Sequence, residues 1–214
     1  MTDSRQESRE AFDDLLGYVE REVGFETGFY NDAYLDRRIT ARMRRTGADS
    51  YGEYRSQLTD DDGEQDRLLD SLSINVTGFF RNPEAWSGIR EVLVRLTDER
   101  RSVRVWSAPC ADGREPYSLA MVALDDPDID TRRLSILGTD ISDDSLSVAR
   151  RGVYETSQTT DIGEELSPLD DSTGYVEQDG DRFQVKDRVK GLVEFENHDL
   201  IRGDTKRDFD LVLC

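Results

Sequence analysis

The stretch VRVWSAPCADGREPYSLAMVAL, Val103 to Leu124, decides the fold of this chain. It begins as a short apolar strand, passes through a tight polar loop and continues as a helix that opens on Glu115-Pro116. Proline is tolerated in the first turn of a helix, because the amide it lacks would have no partner there. A strand that leads through a short loop into a helix is the first part of a strand–helix–strand unit.

The alternation of strand and helix continues after this stretch. Residues 133–140 (RLSILGTD) indicate a second strand, and residues 142–152 (SDDSLSVARRG) indicate a helix that Ser142 caps and Gly152 ends. Residues 191–197 and 209–214 indicate further strands. The alternation predicts an α/β domain with a parallel sheet and crossover helices.

Two other regions differ from this pattern. Residues 154–190 are polar and rich in turns, and Asp179-Gly180 predicts a hairpin, so we expect a small β subdomain inserted there. The beginning of the chain is helical in character, with apolar residues at helical spacing. These are Phe12, Leu15, Leu16 and Val19, then Tyr34, Leu35, Ile39 and Met43. We therefore expect an all-α domain over residues 1–85 and the α/β domain over residues 86–214.

The charge balance is strongly acidic, with 47 Asp and Glu against 28 Lys and Arg and a net charge of −19. Only three of the cations are lysines: Lys186, Lys190 and Lys206. In ~1 M salt the Debye length falls to about 3 Å, which screens such self-repulsion. The composition predicts a protein of an extreme halophile; the alternative is an acidic protein with unusual codon usage. Either way it argues against a general nucleic-acid binder.

The two cysteines, Cys110 and Cys214, form neither a disulfide framework nor a metal-binding pattern. No apolar run approaches the ~20 residues of a membrane helix, and the polar start lacks a signal-peptide core. We expect a soluble cytoplasmic protein without direct membrane insertion and without a metal site.

Open α/β sheets bind ligands beyond the carboxyl ends of their strands. Asp140 ends the second strand, where a carboxylate can accept hydrogen bonds from both hydroxyls of a ribose. This predicts a cofactor that contains adenosine. The structural alternatives are a helix cap for Asp140 and a solvated helix start for Glu115. The loop APCADG, residues 108–113, is not GxGxxG, so an NAD-dependent enzyme is disfavoured.

Residues 73–86 (SINVTGFFRNPEAW) lie between the two domains and carry Asn75, Thr77 and Arg81. Such a segment can lay polar groups over the ligand edge of the sheet, with Arg81 facing an anionic group. The alternative is a linker with an ordinary surface arginine.

Together these motifs resemble the CheR family of chemotaxis receptor methyltransferases, which transfer a methyl group from S-adenosyl-L-methionine (SAM) to receptor glutamates. Residues 34–58 resemble the family's helical domain, and residues 73–86 its T-x-FFR segment. Residues 104–121 are similar to its W-S-A…G-x-E-P-Y-S signature, and residues 136–154 to its D-I…A-R-x-G-x-Y segment. The resemblance implies a Rossmann-like SAM-methyltransferase sheet that follows the helical domain.

Carried over residue by residue, the resemblance implies a set of SAM contacts. These are Asn75, Thr77, Arg81, Glu115, Asp140, Asp199 and Leu200. Asp199 stands where the family usually has Asn, and Arg114 where it often has an acid. The family's next signature, an Arg-Asn pair and then a Tyr-Phe pair, would follow Cys214. We therefore expect a chain truncated at its C-terminus, with an incomplete sheet.

The chemistry of such a transfer requires no general base. The methyl group of a sulfonium is already activated, and a glutamate carboxylate is already a nucleophile, so positioning is the main task. No catalytic residue is assigned, and the product is S-adenosyl-L-homocysteine (SAH). His198 and Cys110 are interpreted as structural residues.

Partners follow from the resemblance as well. Arg38, Arg42 and Arg45 share one helix face, which the resemblance implies docks on the cytoplasmic domains of methyl-accepting receptors; the alternative is a solvated face. The 154–190 region resembles a β subdomain that grips a receptor tail in some members. A monomer is expected. The alternative function is a non-catalytic interaction module that keeps the fold.

Overall fold

The computed structural model describes residues 2–72, 77–157 and 160–214. The contacts between residues divide the chain into two compact units, Met1–Ile74 and Asn75–Cys214. The predicted boundary after residue 85 lies further along the chain. Phe79 and Phe80 account for the difference, because both are buried in the core of the second unit.

All regular secondary structure in the described residues of the first unit is helical. The unit contains α1 (Thr2–Tyr18), which runs into a π-helical turn (Val19–Val23), a 3-10 turn (Thr27–Phe29), α2 (Asp32–Thr46), α3 (Tyr51–Asp60) and α4 (Asp62–Leu72). Polar side chains start two of these helices. The Asn31 side chain accepts a hydrogen bond from the Ala33 amide, and Ser50 accepts one from the Glu53 amide. Gly47 ends α2 in the left-handed conformation that glycine adopts readily.

The core of this unit follows the helical spacing predicted from the sequence. Its buried residues include Phe12, Leu15, Val19, Leu35, Ile39 and Met43, joined by Tyr54, Leu58, Leu68 and Leu72. Leu16 and Tyr34 of the predicted stripes are half-buried against it. The expectation of an all-α domain is therefore confirmed for these residues.

The second unit is built on a parallel sheet. Its elements are α5 (Pro83–Glu99), β1 (Val103–Ser107), α6 (Arg114–Asp125), a 3-10 turn (Thr131–Arg133), β2 (Leu134–Asp140), α7 (Asp143–Arg151), β6 (Val193–Asn197) and β7 (Leu211–Leu213). The strand order is β6-β2-β1-β7, and every pair is parallel. The predicted α/β architecture is confirmed.

Alternation along the strands decides which side chains enter the core of this unit. Val103 and Val105 on β1 and Ile136 on β2 are buried, whereas Arg104 and Ser135 between them are exposed. Helix α6 is buried from Pro116 to Ala123 without interruption. It is therefore a central helix, and its first turn has a defined position beside the sheet.

A small antiparallel sheet is inserted between α7 and β6. It consists of β3 (Val153–Glu155), β4 (Val176–Asp179) and β5 (Arg182–Val185), with the short helices α8 (Ile162–Glu165) and α9 (Asp187–Lys190) and a 3-10 turn (Ser172–Gly174). The strand order is β3-β5-β4. Asp179 pairs with Arg182, so the hairpin predicted at Asp179-Gly180 closes through two residues.

Within the described part of the chain, every helix is too short or too polar to span a lipid bilayer.

Candidate functional site

The carboxyl ends of three neighbouring parallel strands define the candidate site. Ser107 at the end of β1 pairs with Gly138 of β2, and Asp140 at the end of β2 pairs with Asn197 at the end of β6. Because the strands are parallel, the loops that follow them leave the same edge of the sheet. This is the edge at which open α/β sheets bind ligands.

Asp140 ties these loops together. It is 3% exposed, and its carboxylate oxygens accept hydrogen bonds from the amides of Ala111 (2.8 Å) and Ser142 (2.9 Å). Its main-chain carbonyl accepts a third hydrogen bond from the amide of His198, at 2.9 Å. The cap of α7 is Ser142, whose hydroxyl accepts a hydrogen bond from Ser145, so Asp140 does not cap that helix. Its position instead links the loops after β1, β2 and β6.

Glu115 lies in the first turn of α6 and points towards the end of β1. Its Oε1 accepts a hydrogen bond from the Ser107 hydroxyl at 2.7 Å, and the side chain is half-buried. The alternative of a fully solvated helix start therefore does not describe this residue. An acid at this position also suits the partial positive charge of the helix N-terminus.

The loop between β1 and α6 is tightly constrained. Ala111 has φ +47° and Gly113 has φ +89°, both in the left-handed region. A Cβ at Gly113 would lie 2.7 Å from the Cβ of Ala149 on α7, so no larger residue fits there unless the chain shifts. A non-glycine residue in this conformation is held by its surroundings, and such strain is common at binding sites.

The segment from Thr77 to Arg81 is anchored on the second unit by main-chain hydrogen bonds. The amide of Phe80 donates to the Ser118 hydroxyl of α6 (3.0 Å), and the amide of Phe79 donates to the Glu165 carboxylate (2.9 Å). The first of these bonds places the segment beside α6, the helix that carries Glu115 in its first turn. Asn75, the first residue of the predicted set, lies outside the described residues.

Thr77 and Arg81 line an open cleft of about 420 Å³. Its other walls come from the α8 region, including Asp161, Glu164 and Glu165, and neither Glu115 nor Asp140 is among its lining residues. The side chain of Arg81 is exposed. The structure thus brings Glu115 and Asp140 to the strand ends, and it places Thr77 and Arg81 in an adjoining region that α6 connects to them.

Asp199 and Leu200 follow β6 on the Asp140 side of the sheet. The Asp199 carboxylate accepts hydrogen bonds from the amides of Ile201 (2.7 Å) and Arg202 (3.1 Å), which closes a tight turn. Leu200 is exposed at this turn. The neighbouring His198 amide bonds to the Asp140 carbonyl, which ties this turn to the strand-end site.

Sequence reasoning noted Arg114 only as a departure from the family pattern, and it missed Glu165. The Arg114 guanidinium contacts Asp112 and Glu165, both at 3.1 Å. Burial alone would lower the pKa of Arg114, but the carboxylates of Asp112 and Glu165 raise it above its ordinary value. The side chain therefore stays charged. Arg114 and Glu165 are 51 residues apart in the sequence, and no local pattern signals that they meet.

Cys110 and His198 are the two residues that the sequence analysis interpreted as structural. Cys110 is buried, and burial together with the nearby Asp140 charge raises the pKa of its thiol, so it stays protonated and a poor nucleophile. The His198 ring lies 6.0 Å from the ring of Trp106. Across the described ranges, no cluster of three or more His, Cys, Asp or Glu side chains is arranged to hold a metal ion.

The three arginines predicted on α2 have different surroundings. Arg42 forms an ion pair with Glu64 of α4, with side-chain exposures of 11% and 3%. Arg38 is half-buried, and its guanidinium lies 5.3 Å from the Tyr34 ring centre. Arg45 is exposed, as are Arg37 and Arg44 of the same helix.

Comparisons with known proteins match both units. Residues 75–214 match the family model described as the SAM-binding domain of CheR methyltransferases, and residues 10–73 match that of their all-alpha domain. A chemotaxis protein methyltransferase of Listeria monocytogenes is 35% identical over 92% of this chain and 73% of its own length. A probable chemotaxis protein methyltransferase of Rhizobium etli is 35% identical over 83% and 69%. One from Borreliella burgdorferi is 28% identical over 94% and 74%.

Proposed function

Because the chain belongs to the CheR methyltransferase family and is a SAM-dependent methyltransferase, we propose that it methylates glutamate side chains of chemotaxis receptors. The observation that carries the proposal is the junction at Asp140. There the ends of three parallel strands meet around one buried carboxylate, within the region that matches the SAM-binding model.

We assign the cofactor pocket to this junction. Each oxygen of a carboxylate can accept more than one hydrogen bond, so Asp140 can hold the loop amides and still accept from a ribose hydroxyl. Glu115 supplies a second carboxylate at the end of β1. The predicted contacts from Asn75, Thr77, Arg81, Asp199 and Leu200 complete the proposed set.

SAM supplies a methyl group that its sulfonium already activates. The substrate carboxylate forms the new C–O bond as the S–C bond breaks, and no proton needs to be removed. The task of the protein is therefore to hold two reactants in line, which can contribute up to ~7–11 kcal/mol. Arg81 is exposed, and we assign its guanidinium to contact an anionic group of the bound ligand.

We also assign receptor docking to α2. Glutamate-rich receptor segments would be attracted to arginines in an otherwise acidic chain. Arg45 is exposed, and Arg37 and Arg44 extend its patch, whereas Arg42 is engaged by Glu64. Docking through Arg38 and Arg42 stays a prediction. Because Arg45 is exposed, a substitution at Arg45 is the most direct test of docking through α2.

The first experiment is calorimetric titration of the protein with SAH at high salt. We expect saturable binding, and a protein that gives no binding heat would contradict the proposal. The second experiment incubates the protein with isotopically labelled SAM and purified receptor cytoplasmic domains. Label in base-labile esters supports methyl transfer. Binding of SAH without ester formation would instead favour the non-catalytic module.

The composition supports a proposal about the working environment. A net charge of −19 with three lysines suits the cytoplasm of an organism that accumulates salt. We expect the melting temperature to rise as KCl is raised from ~0.1 M to ~1 M, because screening weakens the repulsion among carboxylates. A melting temperature that stays constant or falls would contradict this proposal.

A further inference from the structure

We propose that Arg114 and Glu165 form a latch that holds the 77–81 segment on α6 and thereby sets the affinity of the protein for SAM. The inference rests on the proposed function, and it assigns a role to two residues that lie outside the predicted contact set. Both are positioning residues, since they act through the segment that they hold.

Arg114 is the centre of the latch. It is the first residue of α6, directly before Glu115, and its side chain is 12% exposed. Its Nη1 lies 3.1 Å from Glu165 Oε1, and its Nε lies 3.1 Å from Asp112 Oδ1. The guanidinium also lies 5.9 Å from the ring centre of Tyr154. An arginine with carboxylates on two sides and a ring nearby has a narrow range of positions.

Glu165 connects Arg114 to the main chain of the 77–81 segment. It is the last residue of α8, and its Oε2 accepts the hydrogen bond from the Phe79 amide at 2.9 Å. The approach is close: a Cβ at Gly78 would lie 3.1 Å from Glu165 Oε1. One carboxylate therefore binds the arginine of one element and the main chain of another.

A second anchor also leads back to Arg114. The Ser118 hydroxyl accepts from the Phe80 amide and donates to the Arg114 carbonyl at 2.8 Å. The Phe79 ring packs edge-on against Tyr154, with ring centres 5.1 Å apart. Two successive amides of the segment are thus held by groups that converge on a single residue of α6.

The segment needs such anchors because its backbone is strained. Phe80 within the segment has φ +49°, and Asn82 directly after it has φ +55°; both are left-handed conformations that cost free energy for non-glycine residues. They persist only when surrounding contacts hold them. Thr77 and Arg81 flank the two anchored phenylalanines, so release of the latch would let both proposed SAM contacts move.

The test measures the SAH affinity of variants of this chain by calorimetry. We expect Arg114→Met and Glu165→Ala each to raise the Kd about tenfold, the middle of the range for coupled neighbours. The double variant should bind SAH no more weakly than the single variant with the higher Kd, because either change alone already breaks the latch. Glu165→Gln keeps an acceptor for the Phe79 amide and should lose less affinity than Glu165→Ala.

The matched control is Arg90→Met on α5, which contacts the C-terminal end of α6. Arg90 also bridges two acids, Asp125 (3.2 Å) and Asp126 (3.4 Å), and these acids lie at the opposite end of α6 from Arg114. We expect its Kd for SAH to equal that of the wild type. Two further readouts separate positioning from general destabilisation. The Phe79 amide should exchange faster in Glu165→Ala, and the KM for SAM should rise with little change in kcat.

The outcomes separate this inference from the proposed function. A wild-type protein that binds no SAH overturns both. Wild-type binding with unchanged Kd values in the latch variants overturns the latch alone. An additive loss in the double variant, or an equal loss in Arg90→Met, also overturns it, since either result would indicate independent or general effects.

Discussion

Each unit of the protein contains a largely buried arginine–carboxylate network, and the two networks differ in what else the carboxylate binds. In the helical unit, Glu64 is 3% exposed and accepts hydrogen bonds from Arg42 and from the Tyr54 hydroxyl. In the α/β unit, Glu165 is 23% exposed and accepts from Arg114 and from the main chain of a strained segment. The first network joins side chains of three helices, with the exposed Arg67 as a further partner of Glu64 at 3.5 Å. The second network also binds the main chain of the segment beside the proposed pocket.

The difference in burial determines what each network can do. Removal of one partner of a deeply buried pair leaves an uncompensated charge, which is strongly destabilising. A carboxylate with a quarter of its surface exposed can be hydrated instead, so its loss changes geometry more than stability. The same chemistry therefore stabilises a core in one unit and positions a segment in the other.

The largest effect is expected from Arg42→Met, which removes the buried cation beside Glu64 and leaves its carboxylate with the Tyr54 hydroxyl and the exposed Arg67. We expect the free energy of unfolding to fall by about 3–5 kcal/mol. Both tryptophans, Trp86 and Trp106, lie in the other unit. Far-ultraviolet circular dichroism in urea should thus detect the loss, while tryptophan fluorescence should change little.

The control for this change is Arg37→Met on the exposed side of the same helix. A surface substitution away from such features should stay within about 0.5 kcal/mol. If Arg37→Met and Arg42→Met unfold at the same urea concentration, the buried network does not stabilise the helical unit and the comparison between the units fails.

A glycine pair gives the next largest effect. Gly113 and Gly47 are both left-handed, but a Cβ at Gly113 would clash with Ala149 whereas a Cβ at Gly47 would meet open space. We expect Gly47→Ala to cost about 1–2 kcal/mol for the backbone alone. Gly113→Ala should cost about 1–3 kcal/mol more, because the sheet unit must also relieve the overlap.

Urea unfolding followed by both probes checks this prediction. Gly113→Ala should shift the fluorescence transition, and Gly47→Ala should shift only the circular dichroism signal. Equal costs for the two variants would show that the loop after β1 can move away from α7, contrary to the tight packing described.

Asp140→Asn tests the strand-end junction with almost no change in shape. The new amide group must face one of the two main-chain donors, and an unsatisfied buried donor costs about 1–3 kcal/mol. We also expect the Kd for SAH to rise at least about tenfold, since charge-assisted acceptors are the stronger ones. Calorimetry measures the affinity, and Asp144→Asn on the exposed start of α7 is the control.

Asp140→Asn can also be compared with Arg42→Met, because the two variants should differ in their effect on SAH binding. Arg42→Met should lower stability and leave the SAH Kd of the folded protein unchanged, whereas Asp140→Asn should change both. An Asp140→Asn protein that binds SAH as tightly as the wild type would remove Asp140 from the proposed pocket.

The smallest effect is a dependence of stability on pH. Burial alone would raise the pKa of the Glu64 carboxyl, but hydrogen bonds from Arg42 and Tyr54 hold it below its ordinary value. A lowered pKa in the folded state means that the stabilisation is complete above the unfolded value of about 4.3. It is lost as pH falls through the folded value.

Stability measured against pH in wild type and Glu64→Gln checks this sign. The helical signal of the wild type should lose stability more steeply below about pH 4.3 than that of the variant. The pKa of Arg114 is raised further above an already basic value, so its charge should not change near neutral pH. Parallel acid profiles for wild type and Glu64→Gln would contradict the role of Glu64.

The sequence alone determined the helical unit, the parallel sheet, the hairpin at Asp179-Gly180 and the placement of Glu115 and Asp140 at strand ends. These features depend on local spacing: a helix repeats every 3.6 residues and a strand every two, so neighbouring residues record which side faces the core. The polar residues that follow a strand are then at the ligand edge by topology.

Only the tertiary structure decided the partners of the arginines and the boundary between the units. Arg42 meets an acid 22 residues away and Arg114 meets one 51 residues away. An arginine on a helix has the same local pattern whether it faces water or a distant carboxylate. Sequence reasoning therefore could not identify Glu64 as the partner of Arg42 or Glu165 as the partner of Arg114, because packing alone brings such charges together.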